Sequence, residues 1–313
     1  MNVAVIGAGV SGLTTAIVLA ERGEAVTLYD APRAHMASPA AGAIWFLYDL
    51  EGDVEVAEAW AFRTFERLTE LVHTPGSGVS MIEFRVFGMP EIPEWTHRCA
   101  FRALDGGFAV TVPLMDTPVY LQYLRDRFRG AIREVTPFAS LDDVPPEHDV
   151  IINCCGFGAR ALVSDARMHP HRGQVVLTER QPSLPYAIVH EGTLTYVIPR
   201  SGECVLGGTN DVSADVLPQD ATTADIRRRC APIVPENAPT LGVRVGLRPF
   251  REGGVRLEAD RTAGGRPVIH NYGHGGSGFT VSWGCGEAVA LLVSSPCARV
   301  YPERGRADGG SDG

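Results

Sequence analysis

The chain has 313 residues, enough for two domains that share a cleft, and its apolar fraction of 45% against 21% charged residues supports a buried core. A formal charge of −9 repels phosphate backbones, which argues against a nucleic-acid partner. All 28 basic residues are arginine, so Schiff-base lysine chemistry and the lysine of a phosphate-binding loop are absent, excluding pyridoxal enzymes, class I aldolases and ordinary P-loop NTPases.

Asn2–Gly7 is a short apolar run ending in glycine, the pattern of a buried parallel strand. Ser11–Arg22 has apolar residues at helical spacing, and Ala25–Tyr29 reads as a second strand ending at Asp30. After Leu50 come an amphipathic helix over Val54–Leu71, β-like segments at Ile82–Phe87 and Phe108–Val112, and a helix over Leu114–Phe128. A buried-strand pattern returns at Asp149–Asn153. Gly173–Thr178, Thr195–Ile198 and Cys204–Gly208 read as strands of a second sheet. Thr223–Cys230 is helix-like, and its run Arg227-Arg228-Arg229 is read as a solvated face. The buried-strand pattern appears a third time at Pro267–Tyr272, followed by a helix over Gly278–Ser294. The dinucleotide-type elements thus fall in three pieces, 1–49, 136–171 and 263–298, with a second domain from 50–135 and 172–262 and a disordered tail over 299–313.

The seven cysteines, Cys99, Cys154, Cys155, Cys204, Cys230, Cys285 and Cys297, form no Cys-x-x-Cys pair and mostly occupy apolar runs, so they read as core residues. No signal peptide precedes the first strand, and no apolar run reaches the roughly 18 residues of a membrane helix. A soluble cytoplasmic protein is expected, and the all-arginine usage suggests a GC-rich bacterium.

Gly7-Ala8-Gly9-Val10-Ser11-Gly12 matches G-x-G-x-x-G between a predicted strand and helix. Gly7 allows the tight turn, Gly9 lets the backbone approach a pyrophosphate, and Gly12 lets helix and strand pack closely. The helix N-terminus offers N–H groups and partial positive charge to the phosphates. Asp30 lies 23 residues after Gly7, where an acidic residue should meet the ribose hydroxyls. The motif near residue 1 and the scattered parallel elements favour FAD over NAD. Val268–Gly284 repeats the theme, a strand running through a glycine-dense loop into a helix, whose N-terminus suits the negative charge of a reduced flavin. His270 and His274 have no carboxylate or cysteine neighbours to complete a metal set, so a loop-structuring role is expected and no metal.

Val268–Trp283 resembles the signature of the D-amino acid oxidase and D-aspartate oxidase family, departing at Gly286, where alanine is usual. Further resembling stretches follow in the family's order over residues 1–295. They are Ala40-Ala41-Gly42, Asp149–Gly156, Arg172-Gly173-Gln174, Tyr196-Val197-Ile198-Pro199, Leu206-Gly207-Gly208-Thr209, and Gly246-Leu247-Arg248-Pro249 running on to Arg256-Leu257-Glu258. The resemblance implies an α/β fold (α+β overall), with a Rossmann-like FAD-binding domain and a second, mostly antiparallel β-sheet domain for substrate. It implies non-covalent FAD and extends its contacts to Ala41, Gly42, Gly156, Gly273, Gly275, Gly276, Gly278, Phe279 and Thr280.

By the same resemblance Arg248 holds a substrate carboxylate, Tyr196 joins that contact, and a backbone carbonyl of Gly276 or Ser277 accepts from the substrate amine. On side-chain chemistry alone, Arg248 would read as a surface ion pair and Tyr196 as a core aromatic. The implied reaction has no side-chain base. A hydride passes from Cα to flavin N5, dioxygen reoxidises the flavin to give hydrogen peroxide, and the imino acid hydrolyses to a keto acid and ammonia. Asn210 stands where D-aspartate oxidases carry an extra arginine, and Ala43, Ile44, Trp45 and Phe46 suggest an apolar wall, so neutral or hydrophobic D-amino acids are expected. Thr178–Thr195 corresponds to the family's lid but is short and lacks its second tyrosine, with Gly192 nearby, implying an open site. The alternatives are a glycine- or sarcosine-type oxidase, a D-aspartate oxidase, a flavin amino acid dehydrogenase, and a non-catalytic FAD-binding protein. A homodimer is left open.

Overall fold

The computed structural model describes residues 1–31 and 36–294. The predicted tail, Cys297 and the end of the third nucleotide-domain piece lie outside the described residues.

β1 (Asn2–Ile6), α1 (Val10–Glu21) and β2 (Ala25–Asp30) form the expected strand–helix–strand unit, with β1 and β2 parallel. A single turn, α2 (Ala37–Ala40), precedes α3 (Val54–Leu71). The Asp53 side chain starts α3 by accepting from the N–H groups of Glu55 and Val56 at 3.1 and 3.3 Å. Its buried face, including Val56, Trp60, Thr64, Leu68 and Leu71, follows the helical repeat. Next come β3 (Val79–Phe87), β4 (Ala100–Leu104), β5 (Gly107–Met115) and α4 (Thr117–Arg127). The helix read from Leu114 begins later, because Leu114 and Met115 still pair with β3. Pro118 then sits in the first turn, where its missing N–H costs nothing.

β6 (Ala131–Glu134), β7 (Val150–Asn153), α5 (Ala159–Leu162), β8 (Met168–Glu179), β9 (Tyr186–His190), β10 (Thr195–Pro199), β11 (Glu203–Gly207), β12 (Asp211–Val212) and α6 (Asp220–Cys230) follow. The chain continues through β13 (Thr240–Arg251), β14 (Arg256–Arg261), β15 (Pro267–Tyr272) and α7 (Gly278–Ser294).

The strands make two sheets. The first runs β14-β15-β7-β1-β2-β6, parallel except for β14. The second has nine strands and is antiparallel except where β3 meets β9, with β8 and β13 pairing along most of their length. β6 and β14 were placed with the second domain by sequence, yet they hydrogen-bond into the first sheet. α3 and α4 likewise lie on the nucleotide side, packing against α7 and α1.

α7 packs closely on two helices. A Cβ at Gly284 would lie 2.3 Å from the Trp60 carbonyl oxygen, and one at Gly286 would lie 3.2 Å from Thr15 Cα. Glycine at 286 therefore lets α7 approach α1. No helix among the described residues is long and apolar enough to cross a membrane.

Candidate active site

A cavity of about 540 Å³ runs from the ends of β1, β2 and β7 past the N-termini of α1 and α7 to the faces of β9, β10 and β13. Gly7, at φ +104°, turns the chain off β1, and a Cβ there would lie 2.4 Å from the Cys154 carbonyl oxygen. A Cβ on Gly12 would fall 1.7 Å from the Gly7 carbonyl oxygen, so Gly12 serves helix–strand packing and stands behind the cavity wall. α1 begins at Gly9 without a side-chain cap, and Ala8, Gly9, Val10 and Ser11 line the cavity. Ser11 Oγ is buried and, among the described residues, has no partner beyond the weak thiol of Cys154. The Val10 N–H donates to Ser38 Oγ at 3.1 Å, and the rest of the first turn beside the buried Ser11 hydroxyl is what a bound pyrophosphate would satisfy, so the site fits FAD. Asp30 lines the same end, one carboxylate oxygen 2.5 Å from Arg125 Nη2 on α4, a partner that sequence reasoning missed.

The second glycine loop meets residues 48 and 49. A Cβ on Gly275 would lie 1.8 Å from the Asp49 carbonyl oxygen, and one on Gly276 would lie 2.5 Å from Tyr48 Cδ1. Ser277 Oγ donates to the Tyr48 carbonyl and accepts from the Tyr48 N–H, both at 2.8 Å. Gly275, Gly276, Gly278, Phe279 and Thr280 line the cavity, as do Ala41, Gly42 and Gly156. Gly273 and Ser277 do not. Gly273 packs on the Arg251 side chain, and the Ser277 hydroxyl is consumed in fastening the loop to residue 48. His274 Nε2 bonds Asn271 Oδ1 at 3.0 Å, and His270 contacts Asn153 at 3.3 Å and Asp260 at 3.4 Å. Burial pushes both imidazoles down to about 4.

At the other end, Arg248 on β13 enters the cavity from beside Gly173, where any Cβ would lie 2.7 Å from the guanidinium. Its Nη1 donates to Thr209 O at 2.9 Å and to Asn210 Oδ1 at 3.0 Å, which leaves its other donors to face the cavity. Tyr196 from β10 brings its hydroxyl within hydrogen-bonding reach of Arg248, packed over Gly207 and Gly208. The Tyr48 ring lies 5.7 Å from the Arg248 guanidinium carbon. Burial raises both phenols above their ordinary pKa, so they remain O–H donors at neutral pH.

Trp45 is not a pocket residue. It is fully buried on the opposite side, donating from Nε1 to Ala61 O at 2.9 Å and packing against Phe62, Phe65 and Trp95. Ala43, Ile44 and Phe46 do line the cavity, together with Tyr48, which sequence reasoning did not single out. The Asp49 carboxylate, behind Tyr48, binds His171 Nδ1 at 2.9 Å and accepts from Asn210 Nδ2 at 3.1 Å. Arg248 is thus held through Asn210 to the hydrogen-bonded Asp49–His171 pair. The His171 ring in turn stacks on Phe250 at 4.1 Å.

The triple-arginine run is not one solvated face. Arg228 is exposed, whereas Arg229 donates to the carbonyls of Thr193, Leu194 and Gly208 and pins the turn between β9 and β10. Within Thr178–Thr195, that turn region carries Val189, Glu191 and Leu194 into the cavity.

The family described as FAD dependent oxidoreductase (DAO) is matched over residues 2–292. The D-amino-acid oxidase of Streptomyces coelicolor is 40% identical, covering 94% of this chain and 97% of its own length. The chain belongs to the D-amino acid oxidase family of FAD dependent oxidoreductases. This oxidoreductase is also 39% identical to the D-amino-acid oxidase of Rubrobacter xylanophilus, over 93% of this chain and 95% of that one. Its fold matches that of glycine oxidase from Geobacillus kaustophilus with a TM-score of 0.76 at 19% identity, covering 96% of each chain. The oxidoreductase therefore takes FAD.

Proposed function

We propose that this oxidoreductase deaminates neutral or hydrophobic D-amino acids oxidatively, giving 2-oxo acids, ammonia and hydrogen peroxide, and that it works in the cytoplasm. The observation that carries the reading is the convergence of Arg248, Tyr196 and Tyr48 on the end of the cavity remote from the nucleotide loop. The relatives named D-amino-acid oxidases, alike over nearly their whole length, support it.

FAD in this cavity supplies a two-electron acceptor for the hydrogen at Cα and, through dioxygen, the route to peroxide. The chain's own residues supply position. Arg248 takes the substrate carboxylate through two parallel charged hydrogen bonds. The Tyr196 hydroxyl adds a third contact, and the Gly276 carbonyl accepts from the substrate amine. Ile44, Phe46, Phe84, Val189 and Leu194 form the apolar surface for the side chain and exclude water. With carboxylate, amine and side chain fixed, only one face of Cα is presented, which selects the D-enantiomer. Asn210, where an arginine would favour an acidic side chain, is engaged with Arg248 and Asp49 instead.

The visible absorbance of the purified protein under anaerobic conditions tests this directly. Bleaching of the flavin by D-alanine and D-valine but not by their L-enantiomers is expected. A flavin that bleaches only with sarcosine or glycine, or with no amine, refutes the reading.

A further inference from the structure

One charge in the cavity has no task in the deamination reading. Of the lining residues only Asp30 and Glu191 carry carboxylates, and Asp30 stands at the nucleotide end, paired with Arg125. Glu191 opens the tight turn Glu191–Thr193 between β9 and β10. No hydrogen bond or ion pair reaches its carboxylate among the described residues, and burial raises its pKa with no opposing charge at hand. Its turn joins β9 to β10, which carries Tyr196, and Val189 and Leu194 beside it also line the cavity, which puts Glu191 at the substrate end.

The turn that carries it is well anchored. Arg229 holds the carbonyls of Thr193, Leu194 and Gly208, and the Thr193 and Thr195 hydroxyls meet at 2.9 Å. The His190 ring stacks on Phe87 at 5.0 Å. Glu191 is half-buried at the cavity wall, and its carboxylate, unpartnered among the described residues, is placed to meet a ligand group there.

We propose that Glu191 is a specificity residue that receives the cationic tip of a substrate with an apolar stem, as in D-arginine or D-lysine. The assignment rests on the deamination reading and widens its substrate class from neutral to basic side chains. The substrate's two charged ends then meet opposite charges in one cavity, the carboxylate at Arg248 and the cation at Glu191. The methylene stem lies along Ile44, Phe46 and Leu194. An acidic side chain would meet a like charge.

D-Arginine and D-citrulline have nearly the same shape and differ in charge, so their ratio of kcat/KM isolates the interaction. In the FAD-loaded enzyme D-arginine should be favoured by about 10–100-fold, the range of a charge-assisted hydrogen bond. Glu191→Gln should bring the ratio near unity, and Glu191→Asp should restore part of it. Flavin absorbance of each variant verifies that FAD is bound. An unchanged ratio in Glu191→Gln, or equal losses on both substrates as a general base would give, overturns the assignment. If D-valine bleaches the wild-type flavin but D-arginine does not, only the Glu191 assignment fails. If no D-amino acid bleaches it, the deamination reading fails and Glu191 with it.

Discussion

Replacing Arg248 by alanine removes the group on which substrate orientation depends. A carboxylate held by two parallel charge-assisted hydrogen bonds, each contributing about 1.5–3 kcal/mol, loses about 3–6 kcal/mol of transition-state binding. At about 1.4 kcal/mol per decade, kcat/KM for D-valine should fall by roughly 10²–10⁴. Lysine at 248 restores a point charge but not the fork, nor the two anchors to Thr209 O and Asn210 Oδ1 that aim the guanidinium. It should recover only part of the loss. FAD affinity is a built-in control, because Gly7–Ser11 and Asp30 lie at the far end of the cavity and should hold the cofactor within a few-fold of wild type. The assay is peroxide release under air, with single-turnover bleaching of the flavin to separate binding from later steps. Turnover by Arg248→Ala within about threefold of wild type, with FAD bound, would refute the clamp.

Gly12→Ala places a methyl 1.7 Å from the Gly7 carbonyl oxygen, and the purified variant should contain little or no FAD. Full flavin content by absorbance would contradict the close packing of α1 on β1. Trp45→Ala should cost about 3–5 kcal/mol in denaturant unfolding while leaving the D-valine to D-alanine preference within about twofold. A changed preference with unchanged stability would return Trp45 to the pocket. The buried imidazoles of His270 and His274 have folded pKa values near 4 against an ordinary 6.5, so between those values the unfolded chain binds more protons. Their effect on stability is fully favourable above about pH 6.5 and is lost progressively toward pH 4. Urea midpoints should fall over that interval. His274→Gln, which can still donate to Asn271 Oδ1, should flatten the fall, and an equally steep slope in the variant would exclude His274 as a source.

The sequence alone determined the elements whose signals are local. The unit β1–α1–β2 was legible from an apolar run, a glycine turn and helical spacing. α3 and β15 have the limits their patterns predict and α7 starts where its pattern does, because local signals and hydrophobic period act within a few residues. The G-x-G-x-x-G loop and Asp30 likewise lie within one such unit. Arg248 and Tyr196, which line the cavity, were singled out only through motif resemblance, since an arginine and a tyrosine on strands have no pattern of their own.

What only the tertiary structure decided depends on side-chain direction and on distant partners. Residues 43–48 have no regular period, so nothing local tells that Trp45 turns into the core while Phe46 and Tyr48 face the cavity. The segments of β6 and β14 have no strand reading in the sequence and fell in the second domain, and their sheet was settled by edges formed elsewhere in the chain. Arg229 resembles a surface cation until β9 and β10 bring three carbonyls to it. Asp49 meets His171, and Asp30 meets Arg125, each across about a third of the chain. Glu191 is an ordinary turn glutamate in sequence, and its chemical environment arises only because the β9–β10 turn lies at the cavity wall.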